Sequence, residues 1–332
     1  MPAFDSPSFS VSLACGTRIF LDRPGGISFV SHAHSDHSSF VRESHSIIAS
    51  EQSIELMKAR GHSRRVNMLE NYPKLDGAEL EMIDAGHVLG ARQLVIKDAD
   101  GTAFAYTGDF NPHATLTCPK AQVPQCDELV VECTYGNPRW VFPSRESVYG
   151  QVKGWVEACV EEGQSCVLGG YSLGKAQELI AILNQYCGIT PVVEGKTGEV
   201  CKVYCRHGVK LDFASIEQAG DDMAKGFVAV VPIHTVSPQL SSALERQYGR
   251  PVRTAVATGW ALNGMVAGVD EAFALSDHAD FPSLLRFVEA TGAKKVWCVH
   301  GFANEFAYEL RKKGIHAGNG EKLKEGQMRL GF

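Results

Sequence analysis

Short apolar runs alternate with amphipathic stretches along the chain. ISFVS (27–31), QLVIK (93–97), AFAYT (103–107), ELVVEC (128–133), SCVLGG (165–170), GFVAVVP (226–232), VRTAVAT (252–258) and KVWCVH (295–300) are rich in branched and aromatic side chains, which predicts strands. The amphipathic stretches around 51–60, 145–161, 174–187, 237–248, 281–290 and 303–313 predict helices. Ser144 stands ahead of the second as an N-cap, and Pro282 falls in the first turn of the fifth, after Asp280. Strands cluster first and then alternate with helices, the order of an α/β protein.

Two breaks divide this pattern. YGNPRWVFPSRES (135–147) is rich in Pro, Gly and Ser, and a second break lies near GWALNGMVAGVDE (259–271). The block between them lacks the histidine-rich motifs found on either side, which predicts one domain inserted into another. A length of 332 residues fits two domains at roughly 100–200 residues each. Hydrophobic residues at 44% and charged residues at 21% supply a core and a soluble surface. No apolar run approaches the ~18 residues of a membrane span, and the N-terminus has no basic-then-apolar leader pattern. Ten scattered cysteines without a C-x-x-C pair read as reduced thiols of a cytoplasmic protein; Cys201 and Cys205 are the only close pair. The net charge, 32 − 38 = −6, argues against a broad basic surface for nucleic acid but leaves room for local phosphate contacts. Lys58, Arg60, Arg64 and Arg65 form one tight basic cluster, either a phosphate contact at a cleft rim or a solvated face.

The strongest chemical signal is SHAHSDH at 31–37, directly after a predicted strand. A sharp loop there can aim His32 and His34 at one metal and Asp36 and His37 at a neighbour. Imidazole and carboxylate donors suit zinc, with manganese or iron as alternatives. Three weaker candidates follow other strands: His87 in DAGHVLGA, Asp109 in YTGDF and His300 in VHG. Each alone reads as an ordinary loop residue, but together they can complete two metal shells with a shared carboxylate.

HxHxDH followed by an isolated His and TGD resembles the metallo-β-lactamase superfamily over essentially the whole chain. Carried over, the resemblance implies that His32, His34, His87 and Asp109 hold one metal. Asp36, His37, the bridging Asp109 and His300 would hold the other, both ions divalent and most simply Zn2+, with Mn2+ as the alternative. Asp22 matches the family's early Asp, which supports a ligand histidine from behind. Glu132 at a strand end, the S-x-H-x-D pattern of LSDHAD with His278, and VHG resemble the three extra motifs of the β-CASP nucleases. These enzymes carry a cap domain inserted into the lactamase fold and cut DNA or RNA. The implied architecture is an αββα sandwich from 1–137 and 273–332 with a β-CASP cap over 138–272.

In that scheme His278 protonates the leaving oxygen and Glu132 orients it, with Asp36 among the catalytic carboxylates. Ser172-Leu173-Gly174-Lys175 resembles the S-x-G-K turn of DNA-processing members. Ser172 would then cap a helix and Lys175 would face a phosphate; a plain N-cap beside a solvated lysine is the alternative. In the family pattern His300 at the VHG position favours RNA, whereas compact length and the 272–281 and 258–260 stretches resemble the small bacterial and archaeal members, described as ligase-associated DNA exonucleases or as mRNA 3′-end-processing-factor-like proteins. DNA repair is therefore the favoured reading, with DNA ligase or helicase partners implied by family association. An RNA-processing enzyme, a small-molecule hydrolase and an inactive scaffold are the rivals.

Overall fold

The computed structural model describes residues 2–61, 68, 72, 74–75, 77–264 and 266–321. Arg64 and Arg65 of the basic cluster lie outside the described residues. The eight apolar runs form strands over Ile27–Phe29, Arg92–Lys97, Ala103–Tyr106, Glu128–Glu132, Ser165–Gly170, Val228–Pro232, Val252–Ala257 and Lys295–Val299. The predicted helices form at Glu51–Ala59, Arg145–Glu161, Lys175–Ile182, Pro238–Tyr248, Phe281–Thr291 and Ala303–Lys312. Ser144 accepts from the Ser147 amide and Asp280 from the Ser283 amide, so both act as N-caps. The stretch predicted as one helix to 187 changes to a π-helical turn at Leu183–Cys187.

Three sheets carry these elements. Ala3–Asp5, Ser10–Ser12, Arg18–Leu21, Ile27–Phe29 and Ser46–Ile48 form a five-stranded sheet in chain order. The seven-stranded sheet runs His316–Asn319, Lys295–Val299, Glu128–Glu132, Ala103–Tyr106, Arg92–Lys97, Ala78–Asp84 and Lys74–Leu75. A six-stranded, wholly parallel sheet is built from Ala214–Ser215, Val192–Val193, Val228–Pro232, Ser165–Gly170, Val252–Ala257 and Glu271–Phe273. Every described strand between 165 and 273 thus belongs to the third sheet. The first two sheets share one core, in which Val11, Ile19, Leu21 and Phe29 meet Leu94, Ile96, Phe104 and Tyr106. A second core places the helices Glu51–Ala59, Phe281–Thr291 and Ala303–Lys312 against these sheets, and Leu173, Val203 and Tyr204 from the segment that carries the third sheet join it.

Three neighbouring parallel strands position the site. Glu128–Glu132 lies between Ala103–Tyr106 and Lys295–Val299, parallel to both. Their C-terminal ends release Asp109, Glu132 and His300 on one edge, where open α/β sheets place ligands. All ten cysteines are free of disulfides. Among the described residues no helix is long and apolar enough to cross a membrane.

Candidate metal and acid–base site

The HAHSDH loop leaves strand Ile27–Phe29 and turns into the short helix Ser35–Ser38. Asp22, buried and at a positive φ of 48°, sits beneath it. Its carboxylate accepts four bonds: from the Ser31 amide (2.7 Å), the Ser31 hydroxyl (2.6 Å), His37 Nδ1 (2.7 Å) and the Tyr106 hydroxyl (2.8 Å). Ser31 Oγ in turn accepts from His32 Nδ1 at 2.9 Å. One carboxylate therefore orients two imidazoles, a common arrangement behind metal ligands. Tyr106 gave no local signal of this role beyond its place before TGD.

Asp109 reaches the same point because Gly108 turns the chain at a φ of 54°. A Cβ there would lie 2.4 Å from Ser31 Cβ, so only glycine brings the two loops this close. Asp109 Oδ2 lies 3.6 Å from His32 Nε2, 3.8 Å from His87 Nε2 and 3.4 Å from His37 Nε2. Ligand atoms of His32, His34, His87 and Asp109 all fall within 4.8 Å of one another. Asp36 Oδ2 stands 3.6 Å from His37 Nε2. His300, at a φ of 60°, pairs through Nδ1 with Glu321 at 3.0 Å, while its buried Nε2 has no hydrogen-bond partner among the described residues.

The proton inventory fits a cation. His32 gives its Nδ1 proton to Ser31, His34 its Nε2 proton to the Leu173 carbonyl (3.1 Å) and His87 its Nδ1 proton to the Asp277 carbonyl (2.9 Å). The contacts His32 Nε2 to His34 Nδ1 (2.9 Å) and His34 Nδ1 to His87 Nε2 (3.1 Å) are then lone pair against lone pair. Burial, reinforced for His32 and His87 by the neighbouring histidines, holds all three rings below the usual imidazole range, the neutral state ligation requires. Burial also opposes charge on His37, but Asp109, Asp22 and Asp36 outweigh it and push its pKa up to about 10. Burial raises the Asp36 carboxyl, and the stronger combined pull of His37 and His34 brings it below the usual range.

Beside this cluster stands a buried acid–base pair. Glu132, fully buried at its strand end, accepts from His278 Nδ1 at 2.8 Å and from the Thr134 amide at 2.9 Å. Desolvation disfavours charge on both, but their attraction wins: the Glu132 carboxyl is lowered and the His278 ring raised to about 9. His278 keeps 22% of its side chain exposed, so it is reachable from the cleft. That cleft, about 450 Å³, is lined by His34, Asp36, His37, His87, Asp109, His278 and His300, with Tyr171 and Trp260 among its other walls. A second cavity of about 590 Å³ shares Leu275, Ser276 and His278 with it as walls. Arg60, whose guanidinium holds the Ala33 carbonyl and Ser35 Oγ, also lines the first cleft.

The 172–175 turn departs from expectation. Gly174 is the N-cap of helix Lys175–Ile182, and the Gln177 side chain accepts from its amide. Ser172 is therefore not the cap, and its carbonyl accepts from Gln177 Nε2. Lys175 is not a free phosphate clamp either: its side chain is 2% exposed and Nζ is 2.7 Å from Asp277 Oδ1 and 3.7 Å from Glu178. An ammonium in so dry a place needs carboxylate partners, and those partners spend its charge.

Known proteins with similar sequences include a probable DNA ligase of Opitutus terrae, 32% identical over 87% of this chain and 28% of that protein. An RNase J-like protein of Methanocaldococcus jannaschii is 24% identical over 47% of this chain and 43% of its own length. The cleavage and polyadenylation specificity factor 73 of Drosophila melanogaster is 36% identical over 32% of this chain and 16% of its own length. The chain therefore spans less than half the length of each of these relatives. No protein-family model matches it.

Proposed function

We propose, for a chain that belongs to the β-CASP nuclease family of the metallo-β-lactamase superfamily, that it is a metal-dependent nuclease that hydrolyses phosphodiester bonds and trims DNA ends in repair. The observation that carries this reading is the Glu132–His278 pair opening into the same cleft as the Asp109-centred donors. In this reading 1–137 and 273–332 are the lactamase sandwich and 138–272 the cap. His32, His34, His87 and Asp109 would hold one divalent ion, and Asp36, His37, Asp109 and His300 a second. Zinc suits the donor set, with manganese the alternative, and such ions supply Lewis acidity at the scissile phosphate.

The chain's own groups then divide the work. Glu132 takes the Nδ1 proton of His278 as a hydrogen bond, which leaves Nε2 to deliver a proton to the departing oxygen. Asp22 holds the His37 ring in one orientation through Nδ1. His278 lines two cavities, and space on both of its sides supports a polymer substrate. DNA is favoured by the ligase named among the relatives. The RNase J-like and polyadenylation-factor relatives favour the second reading, an RNA nuclease with the same site.

End-labelled single-stranded DNA and RNA of one sequence, incubated with zinc and then manganese, decide between them. Faster loss of DNA supports the repair exonuclease, and faster loss of RNA replaces it with the second reading. Cleavage of neither, with turnover of thioesters or lactams instead, removes both.

The cleft walls add a smaller effect. Tyr171 and Trp260 follow the adjacent parallel strands Ser165–Gly170 and Val252–Ala257, whereas Trp140 is buried. Stacking of bases on the first two predicts that Tyr171→Ala or Trp260→Ala weakens single-strand binding by about 1–3 kcal/mol. Fluorescence anisotropy with a labelled oligomer checks this, and unchanged affinity in both variants removes the stacking role.

A further inference from the structure

An imidazole ligand is oriented by what its other nitrogen bonds, and losing that partner typically costs about 10–100-fold in metal affinity. His32 finds its partner next door in Ser31. His34 and His87 do not: their partners are the carbonyls of Leu173 and Asp277, which lie 139 and 190 residues away. Two features hold those carbonyls. Gly174 sits at a φ of 90°, and a Cβ on it would lie 2.5 Å from Val88 Cγ1, so the turn rests directly on the residue after His87. Lys175, adjacent to that turn, reaches across to Asp277 Oδ1 at 2.7 Å with almost no solvent around it. Arg145 adds a bond from Nη1 to the Ser276 carbonyl at 2.7 Å, and the Tyr204 hydroxyl accepts from the Leu89 amide at 3.1 Å. Three successive residues, His87, Val88 and Leu89, are thus each gripped from outside the first two sheets.

We infer that the Lys175–Asp277 ion pair and the Gly174 turn are positioning elements that fix His34 and His87 through backbone carbonyls, so that metal retention depends on the seating of the inserted unit. This rests on the ligand roles proposed for His34 and His87. Lys175 acts through Asp277 and touches no substrate. The charge that resembled a phosphate clamp instead joins the two segments whose carbonyls aim the ligands.

The test uses the full chain and two readouts independent of cleavage. Zinc affinity is measured by competition with a chromogenic chelator, and the visible spectrum of the Co2+-loaded protein reports the donor geometry. Lys175→Met is expected to lose about 10–100-fold in affinity for the tighter zinc and to alter the cobalt spectrum. Lys175→Arg, which keeps the charge, is expected to recover a substantial part of both. Gly174→Ala, which forces the turn off Val88 without touching any charge, is expected to weaken metal binding in the same direction. Lys313→Met, which removes an exposed pair with Glu289, serves as the control and leaves both readouts at wild type.

Wild-type affinity and spectrum in folded Lys175→Met and Gly174→Ala overturn the inference. So does an equal loss in Lys175→Arg and Lys175→Met. A wild-type chain that binds no zinc or cobalt overturns the ligand reading itself, a failure distinct from the other two.

Discussion

Replacing His278 with alanine lowers cleavage by a factor of about 10²–10⁴ while two metal ions per chain remain bound, because the loss is that of a positioned acid and not of a ligand. The geometry sets this expectation. His278 Nδ1 is committed to the buried Glu132 at 2.8 Å, and the partly exposed ring edge faces the cleft. The pair also sets a pH dependence. Desolvation works against the charged ring, but Glu132 raises it from the ordinary value to about 9. The acid form of the wild type therefore persists through neutral pH, and cleavage declines as pH rises through about 9. Glu132→Gln removes the attraction and leaves the desolvation, so the alkaline limb moves toward lower pH and activity at pH 8 falls more than at pH 6. A pH–rate profile of the two proteins with one oligomer substrate checks both statements. Unchanged turnover in His278→Ala, or an unmoved alkaline limb in Glu132→Gln, removes the acid role.

Asp109→Ala abolishes measurable cleavage and drops the bound metal from two ions per chain to one or none. One oxygen, Oδ2, stands within 3.4 to 3.8 Å of His32, His37 and His87. It belongs to the only carboxylate in the four-residue donor group, and it also reaches His37 outside that group. Its removal leaves the neutral rings of His32, His34 and His87 facing one another with no carboxylate among them to balance a divalent cation. Asp109→Asn keeps the shape and removes the charge, so it loses metal as well, which separates charge balance from packing. Elemental analysis after dialysis reads the stoichiometry directly. Two ions retained in Asp109→Ala show that the carboxylate does not bridge.

Much of the scaffold follows from local pattern. Runs such as Leu129–Val130–Val131 become fully buried central strands because a parallel strand lies on each side. Helices begin where their caps stand, at Ser144 and at Asp280, the second with Pro282 in its first turn. Very short strands were not legible: Ala3–Asp5, Ser46–Ile48 and Val192–Val193 are too brief to show a period of two. The helix Gly195–Arg206 was also hidden, because its cap is Glu194 and two glycines dilute its helical preference. There the core contacts of Val200, Val203 and Tyr204 decide the conformation.

For the site, the residues themselves identified the histidines two and three positions apart in the 32–37 loop and an aspartate after a strand, whereas Glu132 and His278, far apart in sequence, stood out only by their resemblance to the β-CASP motifs. These are properties of side chains, and side chains are what a sequence states. Tertiary structure decided which atoms those groups share, that Asp22 serves both Ser31 and His37, and that Lys175 pairs inward instead of outward. It also decided that the carbonyls of Leu173 and Asp277 hold His34 and His87. A backbone carbonyl is the same at every residue, so no sequence signal marks one that orients a ligand; only the packing that brings distant segments together selects it.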